Sequence, residues 1–290
     1  MHSNYNVIQA GYPKSGNYWL YKNLKSLFLS ANLELRNFVK EQPIYELAKS
    51  WPLSYPEQVD INMVDIFYQA VFWRISSVYR KQLNNYESYA ARNSIVWTHS
   101  DCISSTRDFF RHFNKHVYIV RDPRDVAIST ARFAFTKYMK QYYPSYHQNA
   151  DDYLKYEYDN ILRSWNKHVS GYLDYSAKHD LYIIFYERMK KDIHEELQKL
   201  AAYLEIDLDS HLFDQIQKIT SVQEMKKKSP GHVRTANYYG WQQALSDIQI
   251  QKANDICGRL LQFLNYPMND AESQLPLPNI NQDGLTYSKQ

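Results

Sequence analysis

The chain has 290 residues, 44% of them hydrophobic, with a net charge of +3 and only 7 glycines. That length suits one large α/β core carrying insertions, and the charge is too mild for a dedicated nucleic-acid binder, which carries a strong basic patch. Two cysteines, Cys102 and Cys257, suggest neither a disulfide framework nor a metal site. No apolar run approaches the ~20 residues that span a membrane, and the N-terminus lacks a signal peptide's apolar core. A soluble protein of a reducing, cytoplasmic compartment is the expectation, and its 27 tyrosines suit aromatic pocket walls as well as a core.

The first predicted strand covers 5–10, Tyr5-Asn-Val-Ile-Gln-Ala10. It runs into Gly11-Tyr-Pro-Lys-Ser-Gly-Asn-Tyr-Trp19, after which Leu20, Leu24, Leu27 and Phe28 recur at helical spacing. A glycine-containing turn between strand and helix gathers backbone N–H groups at one point. The helix dipole adds positive potential there, so the turn suits a phosphate. Lys14 places a mobile cation inside it. Gly11 and Gly16 have the spacing of a Walker A loop, but Asn17-Tyr18 stands where Lys-Ser/Thr would hold phosphate and Mg²⁺.

Residues 31–93, rich in Tyr and Trp, read as an insertion that covers a site. A second strand, 94–98, ends at Trp97-Thr98 and is followed by His99. A third, 116–120, runs into Arg121-Asp-Pro-Arg-Asp-Val-Ala-Ile-Ser129, where Asp122 suits a helix N-cap and Pro123 the first helical position. Arg121 then sits at the sheet's carboxyl edge with Ser129 two turns into the helix, and both reach one phosphate. A plain cap with a surface ion pair is the structural alternative. Residues 138–160, dense in tyrosine, read as a second covering insertion. A fourth strand, 181–185, leads into Tyr186-Glu187. Ile193, Leu197, Leu200, Ala201 and Leu204 mark one helix, and Ile248, Ala253, Ile256, Leu260 and Phe263 another. The stretch 268–290 reads as an irregular tail after a single domain over 1–267. Short apolar strands alternating with helices predict a parallel β-sheet flanked by helices in three layers, an α/β fold that binds ligands outside the carboxyl ends of its strands.

Four blocks resemble the cytosolic-type sulfotransferases that use 3′-phosphoadenosine 5′-phosphosulfate (PAPS). The first loop is similar to that family's Tyr-Pro-Lys-Ser-Gly-Thr-Thr-Trp. Tyr118 to Ser129 resembles Tyr-x-x-Arg-x-x-x-Asp-x-x-x-Ser, and Trp97-Thr98-His99 resembles Lys-Thr-His. Residues 226–245, where Arg234 and Trp241 keep the spacing, resemble Arg-Lys-Gly-x-x-Gly-Asp-Trp. The resemblance implies a P-loop-NTPase-like fold and PAPS as co-substrate, with the bisphosphate PAP as product. Pro13, Lys14, Ser15, Gly16, Asn17 and Tyr18 would surround the 5′ phosphate, with Asn17 donating through its side chain. Trp19 and Tyr186 would meet the adenine. Arg121, Ser129, Arg234 and Thr235 would hold the 3′ phosphate.

The chemistry implied is sulfuryl transfer to a hydroxyl or amine of a small-molecule acceptor, with no metal. Lys14 would stabilise the leaving oxygen and His99 would serve as base, or else Glu34 or Glu41. The acceptor stays open between a cationic natural product met by Asp60, Asp65, Asp151 or Asp152 and a phenol or sugar against tyrosine walls. Departures from the family pattern are Tyr18 for Thr, Trp97 for a Lys beside the base, and Thr235-Ala236 for Lys-Gly. A nucleotide kinase or a non-catalytic adenine-nucleotide binder on the same fold is the alternative. Oligomeric state is open, because the family's dimerisation motif is not recognisable after Trp241.

Overall fold

The computed structural model describes residues 5–228, 239–269 and 275–276. Among them the strands are β1 (Val7–Gly11), β2 (Met63–Ile66), β3 (Val71–Ile75), β4 (Tyr79–Gln82), β5 (Ile95–Thr98), β6 (Lys115–Val120) and β7 (Leu181–Phe185). They form one sheet in the order β4-β3-β2-β5-β1-β6-β7. The four predicted strands are β1, β5, β6 and β7, and they pair in parallel.

The apolar runs are continuous because both faces of this part of the sheet are covered. Val7, Trp97, Val117, Ile119 and Ile184 pack on one face with Leu20, Leu24, Leu27 and Phe28 of the helix Asn17–Ser30 and with Leu197 and Leu200 of the helix Ile193–Tyr203. Ile8, Val96, Tyr118, Val120 and Ile183 pack on the other with Trp165 and Tyr172 of the helix Ala150–Ser176 and Leu260 and Leu261 of the helix Asp247–Phe263. In the last helix Ala253 and Leu260 are buried and Ile256 and Phe263 pack against the core as predicted, joined by Cys257, whereas Ile248 is exposed.

Residues 31–93 are more than a cover. They supply β2, which joins β5 in parallel, and the antiparallel strands β3 and β4, so the sheet is mixed where a parallel one was expected. These strands escape a search for apolar runs because each carries charge: Asp65 in β2, Arg74 in β3, Arg80 and Lys81 in β4. Exposed charges on the terminal strand β4 also discourage pairing with another chain. Most of the predicted tail, 268–290, lies outside the described residues.

The register sets the carboxyl ends of the parallel strands level. Ala10 pairs with Thr98, Gly11 with Ile119, and Val120 with Phe185. The residues that follow, from the first loop to His99, Arg121 and Tyr186, therefore emerge along one edge.

Behind that edge lies a buried ionic knot. Asp122 caps the helix Pro123–Ala134 by accepting from the Arg124 amide at 2.9 Å. It also takes both Nε and Nη2 of Arg124, at 2.9 and 2.7 Å, and both side chains have no exposure. The same guanidinium donates to the Pro267 and Met268 carbonyls, at 2.6 and 2.9 Å, and lies 3.6 Å from the Trp241 ring centroid. Removing one partner of such a pair strands the other charge in the core. Arg124→Met is expected to cost about 3–5 kcal/mol, read as a lowered urea midpoint; a loss below about 1 kcal/mol would show that the knot is not what holds residues 266–268 to the sheet.

Candidate active site

The first loop turns tightly enough to need two unusual backbone conformations. Lys14 has φ of 69° and Gly16 of 97°, the left-handed region that favours glycine. Glycine is needed at 16 for space as well, since a Cβ there would lie 2.6 Å from Cδ2 of Tyr186. At Gly11 a Cβ would lie 2.3 Å from Oδ1 of Asn17 and 2.5 Å from Cγ2 of Ile119. The loop thus lies flat against β6 and the start of the helix Tyr186–Lys191. The helix Asn17–Ser30 begins at once, and the amides of its first turn have no intrahelical acceptor.

A cavity of about 1240 Å³ opens over this edge. Pro13, Lys14, Gly16, Asn17, Tyr18, Trp19, His99, Arg121, Ser129 and Tyr186 all line it. Of the other predicted site residues, Ser15 is fully buried behind the loop, and Arg234 and Thr235 lie outside the described residues. Glu34 and Glu41 do not line the cavity, and Glu41 is paired with Arg92.

Two loop side chains take partners within the protein. Asn17 Nδ2 donates to the Tyr12 carbonyl at 2.9 Å, which braces the loop and leaves the second amide hydrogen for a ligand. The Tyr18 hydroxyl donates to Glu57 at 2.8 Å, beside the Lys22–Glu57 ion pair, and its ring lies 4.3 Å from that of Tyr55. The hydroxyl that would replace a threonine contact is therefore turned to Glu57. Trp19 serves two ends: its Nε1 donates to the Thr220 carbonyl at 3.0 Å while the ring lines the cavity, edge-on to Tyr186 at 5.8 Å.

Arg121 ties the second block to the first. Its Nη1 donates to the Lys14 carbonyl at 3.2 Å, and its guanidinium lies 4.2 Å from the Tyr186 ring centroid. Asp125, 4.0 Å from Arg121 Nη2, accepts from the amides of Tyr239 and Trp241 at 2.7 and 3.0 Å, which brings the late segment to the cavity rim. Burial pushes the Asp125 carboxyl up to about 6. Among the described residues, Ser15 Oγ and Arg121 Nε are buried polar atoms with no hydrogen-bond partner. Such groups are costly to leave unpaired. Their place beside the loop fits a phosphorylated ligand that supplies the missing acceptors.

His99 is held from two sides. Its Nδ1 lies 2.7 Å from the Gly11 carbonyl, which can only accept, so Nδ1 carries the proton and Nε2 is the basic nitrogen. His168 donates from Nε2 to the His99 carbonyl at 3.2 Å and accepts from the Tyr118 hydroxyl at 2.8 Å. Burial first, then the positive charge of Arg74, brings the His99 pKa down to about 3, against the Gly11 bond that favours protonation. His99 is therefore a neutral imidazole at physiological pH.

The cavity is also lined by residues the sequence did not single out. Tyr55, Tyr79, Phe133, Tyr138 and Tyr143 give it aromatic walls, and Arg74 and Arg80, with the previously named Asp65, give it charge. The Lys14 ammonium lies 3.8 Å from the Phe133 ring centroid. Of the acids suggested for a cationic acceptor, only Asp65 lines the cavity, and it is paired with Arg74 at 2.8 Å. One signal was present: Arg74 is a lone arginine inside the apolar run Val71-Phe-Trp-Arg-Ile75.

A model of the sulfotransferase domain matches residues 5–264. Sulfotransferase 1E1 of Mus musculus is 28% identical over 221 residues, 76% of this chain and 65% of that protein. Sulfotransferase 1B1 of the same species is 24% identical over 225 residues, 77% of this chain and 66% of that protein. These matches span just under two thirds of the relatives' length. Among solved structures, mouse sulfotransferase SULT7A1 complexed with PAP has a TM-score of 0.58 at 19% identity, over 89% of this chain and 84% of that one. Retinol dehydratase in a complex with retinol and PAP has a TM-score of 0.60 at 18% identity, over 90% and 83%. The two structures share the fold, and among the described residues no helix is long and apolar enough to cross a membrane. The family match runs from β1 to the close of the helix Asp247–Phe263, and the chain therefore belongs to the sulfotransferase domain family.

Proposed function

We propose that this chain is a PAPS-dependent sulfotransferase acting on a hydroxyl or amine of a small molecule. The observation that carries this reading is the convergence of the first loop, Arg121 and a neutral His99 on one cavity. PAP in the related mouse structure and in retinol dehydratase supports the same donor here. PAPS supplies an activated sulfuryl group on its 5′ phosphate. The loop amides, Lys14 and Ser15 would hold that phosphate. Arg121 and Ser129 would hold the 3′ phosphate, joined by Arg234 and Thr235, and Trp19 and Tyr186 would flank the adenine. A site with separate ligands for two phosphates favours the 3′-phosphorylated nucleotide over AMP or ATP.

In the reaction His99 Nε2 takes the proton from the acceptor. The acceptor atom forms the new bond to sulfur as the bond from sulfur to the 5′-phosphate oxygen breaks. Lys14 neutralises the charge left on that oxygen, the role in which a pre-placed cation lowers a barrier most. The Lys-Ser/Thr pair through which a Walker loop engages Mg²⁺ is missing here, which agrees with charge neutralisation by side chains. The aromatic walls around Tyr55, Tyr79 and Tyr138 suit an acceptor with a flat ring face.

Lys14→Ala is expected to lower kcat for transfer from PAPS to a phenol panel on the order of 10²–10³-fold. Affinity for the bisphosphate should change by less than about tenfold, since the amides and arginine remain. Turnover that survived this change would remove Lys14 from the mechanism. For His99, a folded-state pKa depressed below the ordinary 6.5 adds stability above pH 6.5 that is lost as pH falls towards about 3. Nuclear magnetic resonance should accordingly find the His99 ring, assigned with His99→Ala, unprotonated well below pH 6.5. A midpoint near the ordinary value would contradict the half-buried, carbonyl-bound geometry.

A further inference from the structure

Resting on the sulfotransferase reading, we propose that Arg74 is a further catalytic residue, a guanidinium that binds the negatively charged oxygens at the point of transfer. The sheet register brings it there. Trp97 of β5 pairs with Met63 of β2, and Met63 pairs with Arg74 of β3, so the three side chains share one face. Val64 pairs with Thr98, and the Ile66 amide donates to Ser100 Oγ at 2.8 Å, which sets Asp65 level with His99. Asp65 holds Arg74 Nε at 2.8 Å, and the Ser76 carbonyl accepts from its Nη1. The arginine is thereby drawn towards the carboxyl edge where His99 stands.

The side chain is only 10% exposed, yet it lines the cavity. The Ser76 carbonyl takes Nη1, whereas Nε, ion-paired with Asp65, and Nη2 make no hydrogen bond among the described residues. A buried guanidinium with one unused edge on a cavity is suited to bind an oxyanion. The charged and titratable groups acting on His99 are Arg74 from β3, His168 from the helix Ala150–Ser176 and Lys14 from the first loop, with Asp65 paired to Arg74 and Asp101 acting on His168. Among the cations, Arg74 acts on His99 most strongly. At position 97, beside the base, the chain carries an uncharged tryptophan, and Arg74 brings a positive charge to that face from two strands away.

Removing one such donor costs on the order of 10²–10³-fold in kcat. The test is Arg74→Gln, which can still bond the Ser76 carbonyl and loses the charge, beside the conservative Arg74→Lys. With PAPS and 4-nitrophenol, Arg74→Gln should lose about 10²-fold in kcat, and Arg74→Lys should recover a substantial part of it. Bisphosphate affinity by calorimetry should stay within about twofold, because Arg74 lies outside the phosphate loops. In the protein without nucleotide, the His99 titration should move upward in Arg74→Gln, which reports that the Arg74 charge faces His99, while the split between kcat and bisphosphate affinity reports its role. An unchanged kcat, an unmoved His99 titration, or a loss of bisphosphate affinity parallel to kcat would each overturn the assignment. Failure of the wild-type chain to bind bisphosphate would instead defeat the sulfotransferase reading beneath it.

Discussion

The hydrogen bond between His99 Nδ1 and the Gly11 carbonyl, 2.7 Å long, is the constraint on which the site depends. It joins the residue that ends β1 to the residue that follows β5, so the first loop and the His99 ring are tied to each other. It also fixes the tautomer, leaving Nε2 as the basic nitrogen. Gly11 meets this demand because it has no side chain: Asn17 and Ile119 already fill the space a Cβ would need. Arg121 adds a second tie, to the Lys14 carbonyl, so β6 is bound to the same loop. One short turn thus sets the relative positions of Lys14, His99 and Arg121.

Charge is distributed unevenly along the cavity, and the distribution explains its chemistry. Lys14, Arg74, Arg80, Arg121 and Arg132 line it with Asp65 and Asp125. Each acid is tied to an arginine, Asp65 to Arg74 and Asp125 to Arg121, although the second pair is long at 4.0 Å. The net field is positive, which favours anionic ligands and keeps the nearby imidazole neutral. The same field that suits an anion therefore lowers the proton affinity of His99, and a bound anion would raise it again.

The sequence made the centre of the molecule legible and its edge obscure, for a physical reason. β1, β5, β6 and β7 are covered on both faces, so they are written as apolar runs that need no context. β2, β3 and β4 carry Asp65, Arg74, Arg80 and Lys81, and their alternation is broken by charges that serve the cavity or guard the edge. That Lys14, His99, Arg121 and Ser129 line one cavity could be anticipated because each lies in a segment that follows a buried strand. The committed contacts of Asn17 and Tyr18 were not, because they depend on the Tyr12 carbonyl and on Glu57, partners that only the fold supplies. Arg74 was hidden by its position: one arginine in an apolar run has meaning only once the register places it beside His99.

The central claim is a site built for two phosphates, and its most direct test is calorimetric titration with adenosine 3′,5′-bisphosphate, AMP and ATP in buffer without Mg²⁺. The account predicts that the bisphosphate binds at least about tenfold more tightly than either control, as a second charged phosphate contact requires. Equal or weaker binding of the bisphosphate would contradict it.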